Sequence, residues 1–352
     1  MAQWKKSTLT RECGEKVEAT LPVIVSASRS TDIPAFYADW FFHRLEKGYS
    51  AWKNPFNGKT SYVSYRDTRF IVFWSKNPAP LLPHLHKLKE RGIGCYIQYT
   101  LNDYITENLE RGVPPLKDRV DTFKRLVDTL GAGSVIWRYD PLILTDTITV
   151  DHLIDRISRI GQQLGGYTEK LVFSFADISP YRKVRTNLDS AGVRYIEWDD
   201  RSMCEFASKL ADANRRTGLQ LATCGEAIDL SQFGIAHNRC IDDDLIIRLA
   251  HDDARLMAAL GVTVGRVSAD LFGNSILPDN ATAIGNGLYA VKRRSNRDQG
   301  QRPACGCIVA KDIGQYNTCA HLCEYCYANC SKETALSNMR RHRLNPFNET
   351  IL

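Results

Sequence analysis

The stretch LPVIVSAS at residues 21–28 is a run of apolar, largely β-branched residues that turns polar at its last positions. A run of that length and composition fits a strand buried on both faces. Five more runs share the pattern: RFIVFWS (69–75), GCYIQYT (94–100), SVIWRYD (134–140), KLVFSFA (170–176) and LQLATC (219–224). The segments between them, such as RVDTFKRLVDTLG (119–131) and DHLIDRISRIGQQLG (151–165), space their apolar residues helically and end on glycine. Strands alternating with helices predict an α/β fold whose parallel sheet is covered on both faces. Six such units in succession favour a (β/α) barrel, partial or closed, over an open sheet.

The rest of the chain divides around that core. Residues 1–20 form an N-terminal extension, 21–260 the barrel, 261–304 an irregular connection and 305–352 a cysteine-rich segment. Within GYSAWKNPFNGKTSYVSYR (48–66), Asn57-Gly58 separates two alternating stretches, a hairpin signal. Residues 241–260 read as helical, and KRRSNRDQGQRP (292–303) as an exposed connection. CIVAKDI (307–313) reads as one more strand, followed by a cysteine loop and a helix near SKETALSNMRRHR (331–343).

Hydrophobic residues make up 43% of the 352 positions and charged residues 24%, proportions of a globular protein. No run of 18 apolar residues occurs, and MAQWKKSTLTRECGEK has no apolar core of a secretion signal. These features predict a cytoplasmic protein with no membrane partner. The net charge of +6 is concentrated in Lys292, Arg293, Arg294, Arg297 and Arg302, and again in Arg340, Arg341 and Arg343. Such runs suit either a solvated linker and helix face or a phosphate-binding patch.

In parallel barrels chemistry sits where strands end. Those ends are polar here: Ser26, Ser28, Arg29 and Asp32; Lys76; Arg138 and Asp140; Glu226. Arg29, Lys76 and Arg138 suit carboxylate or phosphate groups. Asp32, Asp140 and Glu226 suit an amine, a ribose or those cations. Together they predict a pocket for a small or medium polar substrate, with these six residues as the catalytic candidates.

Eleven cysteines in a reducing compartment argue against a disulfide framework, and eight of them lie at or after position 224. In YNTCAHLCEYCYANC (316–330), Cys319, Cys323 and Cys326 are spaced C-x3-C-x2-C. A cubane 4Fe–4S cluster takes one thiolate per iron, so three leave one iron open to another ligand. The competing reading is zinc, with His321 or Cys330 completing a tetrahedron.

This loop, with Tyr325 before its last cysteine, resembles the signature loop of radical S-adenosylmethionine enzymes, and is particularly similar to the spore photoproduct lyase-like branch. With SASRSTDIPAFY, NPFN, FWSKNP, WRYDP, EAIDLSQFGI and CIDDD, the chain over roughly residues 21–330 resembles a bacterial family of unknown function that carries this cluster type at its C-terminus. The resemblance implies a 4Fe–4S cluster on Cys319, Cys323 and Cys326, S-adenosylmethionine at the open iron, and an external electron donor such as a flavodoxin or ferredoxin. It implies reductive cleavage of S-adenosylmethionine to a 5′-deoxyadenosyl radical, with Ser26, Ser28, Tyr325 and Glu226 beside the cofactor. The superfamily's GGE stretch has no counterpart here, which leaves Glu226 or the Ser26–Asp32 loop to hold the cofactor's amine.

In that superfamily the loop follows the first barrel strand. Here it comes last, which predicts a circular permutation in which 307–313 pairs in parallel with 23–28. Cys224, Cys240, Cys305 and Cys307 sit in other stretches of the same resemblance and are expected either as ligands of a second cluster or as buried hydrophobes and a redox pair. Two other functions compete. One is a nucleic-acid repair or modification protein, using the basic runs with Trp40, Trp52 and Trp74 as stacking platforms. The other is a non-catalytic iron–sulfur or zinc protein.

Overall fold

The six apolar runs become strands β1 (Ile24–Ala27), β2 (Phe70–Ser75), β3 (Gly94–Thr100), β4 (Val135–Leu142), β5 (Lys170–Phe175) and β6 (Gln220–Thr223). A short β7 (Ile235–His237) and a two-residue β8 (Lys311–Asp312) complete an eight-stranded sheet. The computed structural model describes residues 4–54, 57–269 and 275–352; Pro55 and Phe56 of the NPFN stretch and residues 270–274 of the connection lie outside them. Every pairing in the sheet is parallel, in the order β7-β6-β5-β4-β3-β2-β1-β8. The last strand lies beside the first, with Lys311 opposite Val25 and Asp312 opposite Ser26.

Alternation along each strand assigns the two faces. Val25, Ala27, Ile71, Phe73, Ile97, Tyr99, Trp137, Phe173 and Leu221 belong to one core. Helices α1 (Ile33–Phe36), α2 (Ala38–Glu46), α3 (Leu85–Glu90), α4 (Leu116–Leu130), α5 (Val150–Gln163), α6 (Arg182–Ser190) and α7 (Asp200–Asn214) contribute to that same core. Phe41, Phe123, Leu126, Ile160 and Phe206 are fully buried there, each worth roughly 1.5–3 kcal/mol of transfer free energy. The alternate residues Ile24, Phe70, Val72 and Tyr96 belong to a second core with α8 (Asp243–Ala250) and α9 (Ala254–Leu260). Helix α10 (Lys332–Leu344) follows the cysteine loop, with the Ser331 hydroxyl accepting from Thr334 N.

Several expectations need correction. The sheet is not a closed barrel: β7 and β8 are its two unpaired edges. With three and two residues these strands are too short to pair across the gap; one backbone bond, Ile308 N to Ile241 O at 3.0 Å, crosses it. The strand expected over 307–313 is confined to 311–312. The stretch expected to be irregular holds a three-stranded antiparallel sheet of Val262–Arg266, Leu288–Lys292 and Ala281–Gly285. Its turn is Asn286-Gly287, both at positive φ, the same signal that was read at Asn57-Gly58. The latter does join Tyr49–Lys53 to Thr60–Ser64, and the N-terminal strands Lys6–Thr10 and Lys16–Thr20 extend that pair into a four-stranded sheet. Among the described residues no helix is long and apolar enough to cross a membrane.

Candidate functional site

The cysteine loop emerges from β8 and lies across the carboxyl ends of β1, β2 and β3. Its seat is Asp32, just beyond β1. One carboxylate oxygen accepts from Ala35 N (2.9 Å) and Ser75 Oγ (2.7 Å), and the other from Lys76 N (2.7 Å). That second oxygen also meets His321 Nε2 at 2.7 Å, while His321 Nδ1 lies 3.1 Å from Gly112 O. Both ring nitrogens of His321 are therefore engaged by the protein, and His321 anchors the loop rather than ligating an ion. Two backbone bonds tie the loop to residues 109–112: Gly112 N to His321 O at 2.8 Å and Glu324 N to Leu109 O at 2.9 Å. Gly112 has to be glycine, since a Cβ there would lie 2.4 Å from Ala320 O. Gly314 is under the same constraint, with Ser28 Oγ 1.7 Å from its would-be Cβ.

Next to this seat is a buried polar knot. Lys76 Nζ donates to Glu110 Oε1 (2.7 Å) and to the Tyr325 hydroxyl (3.0 Å), Tyr325 donates to Glu110, and Asn102 Nδ2 reaches Glu110 at 3.1 Å. Burial alone would neutralise both charged partners, but the pair outweighs it: Glu110 is held down at about 2 and Lys76 is raised. Burial also pushes the Cys319 thiol up to about 12 and Cys323 well above its ordinary value. Buried thiols of this kind ionise only where a cation shares the site. No three of Cys319, Cys323, Cys326 and His321 bring ligand atoms mutually within 4.8 Å, the spacing found among the described residues only at Asp242, Asp243 and Asp244. A single zinc ion, with Zn–S of about 2.3 Å in a tetrahedron, needs its sulfurs about 3.8 Å apart. The loop's thiols do not converge that closely.

Beyond the knot, the buried Arg138 and the half-buried Asp140 form an ion pair at the end of β4. Ser174 donates to Asp140, and Arg138 Nη1 lies 3.2 Å from Gln98 Oε1 and 3.0 Å from Cys240 Sγ. Burial opposes the Asp140 charge, yet Arg138 keeps its carboxyl below the ordinary value. Trp74 lies between two guanidiniums, 5.8 Å from Arg29 and 5.2 Å from Arg138. Its Nε1, Arg29 Nε and Thr31 Oγ1 are buried without a hydrogen-bond partner, so polar groups beyond β1 and in β2 are left unsatisfied by the chain itself. Glu226 accepts from Phe175 N (3.0 Å); burial, with Cys224, Asp140 and Asp177 nearby, raises it to about 7. Ser26 donates to Asp312 (3.0 Å), which also holds Arg29 N and Gly314 N, while Ser28 caps the turn at Ser30 and Thr31. The strand-end candidates thus converge, but Asp32, Ser26 and Ser28 are engaged in holding loops.

Other predicted features have structural uses. Cys330 is exposed, with its backbone N–H on Asn317, and stands outside the thiol set. Lys292 pairs with Asp243 and Asp244, Arg293 with Thr263, Arg294 with Ala259 O, and Arg297 with the carbonyls of Pro303 and Cys305; Arg302 lies over Gly225. The basic run therefore ties down its own connection. Arg340, Arg341 and Arg343 are exposed toward the C-terminal end of α10, where they complement its dipole. Trp40 is buried with Nε1 on Asn348 O, and Trp52 donates to Gly314 O (2.7 Å), so neither is a free stacking platform. The close carboxylates Asp242, Asp243 and Asp244 are neutralised by Arg239 and Lys292.

Sequence reasoning missed Glu110, Asn102, Asp312 and the role of His321. Glu110 is an acidic residue in a loop, and only its burial at 4% side-chain exposure beside Lys76 marks it. Asp312 had a readable signal, a carboxylate at the end of the appended strand.

Eight parallel strands bearing a thiol-rich loop across their carboxyl ends define an α/β protein of the kind that builds its sites at strand ends. The chain belongs to the family described as a domain of unknown function, DUF1848, which matches residues 24–328. Neither the curated proteins nor the solved structures yield a match.

Proposed function

We propose that the chain is an iron–sulfur enzyme of the radical S-adenosylmethionine type, built on a partial, circularly permuted (β/α) barrel. The observation that carries the reading is the position of Cys319, Cys323 and Cys326. Their loop crosses the carboxyl ends of the first strands of an all-parallel sheet, no three of its ligand atoms lie mutually within 4.8 Å, and Arg29 Nε, Thr31 Oγ1 and Trp74 Nε1 on those strand ends are buried without a partner. These three cysteines would hold a 4Fe–4S cluster, which with S-adenosylmethionine bound supplies the electron for its cleavage to 5′-deoxyadenosine. The chain's own residues have positioning and binding tasks. Asp32 and His321 fix the loop, and Lys76, Glu110 and Tyr325 set the charge beside it. Arg29, Trp74, Arg138 and Asp140 offer donors and an aromatic face to a polar substrate. The nucleic-acid reading draws less on this chain, because the run at 292–302 and two of the three tryptophans are engaged within it, which leaves the exposed Arg340, Arg341 and Arg343.

The test is anaerobic reconstitution with iron and sulfide, followed by reduction with S-adenosylmethionine present. Wild type is expected to produce 5′-deoxyadenosine and Cys323→Ala to produce none. No product from iron-loaded wild type would refute the enzymatic reading and leave a non-catalytic cluster protein.

A further inference from the structure

We infer that Cys224, Cys240, Cys305 and Cys307 form a second metal centre, an iron–sulfur cluster held wholly by protein thiolates that clasps the open edges of the sheet. It shares no ligand with the Cys319–Cys326 loop and stands independently of the function proposed above.

The four residues arrive from separate places. Cys224 directly follows β6, Cys240 follows β7, and Cys305 and Cys307 precede β8. The fold nevertheless sets their thiols in a series. Cys224 Sγ and Cys240 Sγ are 3.1 Å apart, and the Cys307 thiol interacts with those of both Cys240 and Cys305. Cysteines acting only as small hydrophobes have no reason to meet at sulfur. The separation exceeds the roughly 2.05 Å of a disulfide, and Cys240 faces two partners rather than one.

The surroundings are those of thiolates. Arg138 Nη1 lies 3.0 Å from Cys240 Sγ, Asn238 Nδ2 donates to the same sulfur at 3.2 Å, and Ile241 N donates to Cys307 Sγ at 3.4 Å. Neutral thiols are weak acceptors, whereas donors aimed at ligating sulfurs are a regular part of iron–sulfur sites. No three of these sulfurs lie mutually within 4.8 Å, so the four do not converge on one point as a single tetrahedral ion needs, with its sulfurs about 3.8 Å apart. The 3.1 Å contact of Cys224 and Cys240 is shorter than an ion or a cluster allows and has to open when the centre is loaded. With four protein thiolates no iron is left open, so the centre fastens the fold or carries electrons and binds no substrate.

Its location gives it a structural task. The β7 edge and the β8 edge are otherwise joined by the Ile308–Ile241 backbone bond. A cluster here would replace the missing ladder between the edges of the sheet.

The test is iron and acid-labile sulfide analysis of anaerobically reconstituted full-length chain. Wild type is expected to hold about eight irons, and Cys319→Ala/Cys323→Ala/Cys326→Ala, which leaves the second site intact, about four with matching sulfide. Cys305→Ser/Cys307→Ser is expected to keep only the loop's iron. A loop triple variant with no iron would overturn the proposal, as would one zinc without sulfide, or a Cys224–Cys240 disulfide found by alkylation under denaturing conditions. If the triple variant does not fold, the wild-type count decides: about four irons overturns the second centre, and about eight supports it. Absence of 5′-deoxyadenosine from wild type that holds both iron sets would refute the catalytic reading alone.

Discussion

The Asp32–His321 bond is the most direct link between the first strand and the loop that comes almost 300 residues later, and its removal can be calculated. In Asp32→Asn the oxygen facing Ala35 and Ser75 survives, while an amide N–H₂ replaces the oxygen that meets Lys76 N and His321 Nε2. A buried hydrogen bond to a charged group contributes roughly 1.5–3 kcal/mol, and a buried N–H left without an acceptor costs about 1–3 kcal/mol. The substitution is therefore expected to cost about 2–4 kcal/mol, against a total stability of roughly 5–15 kcal/mol for a typical domain. Urea denaturation of metal-free protein under reductant measures it. A double-mutant cycle with His321→Phe should return a coupling of about 1.5–3 kcal/mol, because the partners touch directly. Alkylation of Cys319, Cys323 and Cys326 should speed up in both single variants. Equal urea midpoints for Asp32→Asn and wild type, or a coupling below about 0.5 kcal/mol, would show that the loop is seated by something else.

Three other perturbations probe separate parts of the structure. Gly112→Ala puts a methyl group against Ala320 O and His321 Cα and should destabilise by about 1–3 kcal/mol, read by the same denaturation. Glu110→Gln strands the buried Lys76 ammonium and should cost about 3–5 kcal/mol, whereas Glu110→Gln/Lys76→Met should recover much of that; a double variant no better than the single contradicts the pairing. Glu349 accepts from Arg11 and Tyr49, which outweigh its burial and hold its carboxyl below the ordinary 4.5. Its contribution is therefore present above that value and lost as pH falls through the lowered one. Glu349→Gln should cost about 1 kcal/mol at pH 7 and flatten the acid limb of a stability–pH curve.

Six of the eight sheet strands were legible because burial on both faces writes continuous apolar runs such as RFIVFWS. Ile235–His237 and Lys311–Asp312 were not comparably legible in extent, since strands of three and two residues carry too little pattern to fix their ends. ATAIG and LYAVK around Asn286-Gly287 carry no clear alternation, since only Ala290 among them is buried and their larger apolar residues are half-exposed, although the turn residues were in view. At the site, residue type announced the thiols and the strand-end charges. It could not announce Glu110, whose partners Lys76 and Tyr325 are distant in sequence, or show that His321 is held by Asp32 and Gly112.

The position of Lys311–Asp312 beside Ile24–Ala27 also orders events during synthesis. Asp32, Ser75, Lys76 and Glu110 leave the ribosome more than 200 residues before Cys319, and the neighbouring strands form by near-sequential pairing. The nascent thiols thus emerge to find their seat already in place, which shortens the interval in which they are open to oxidation or to stray metal.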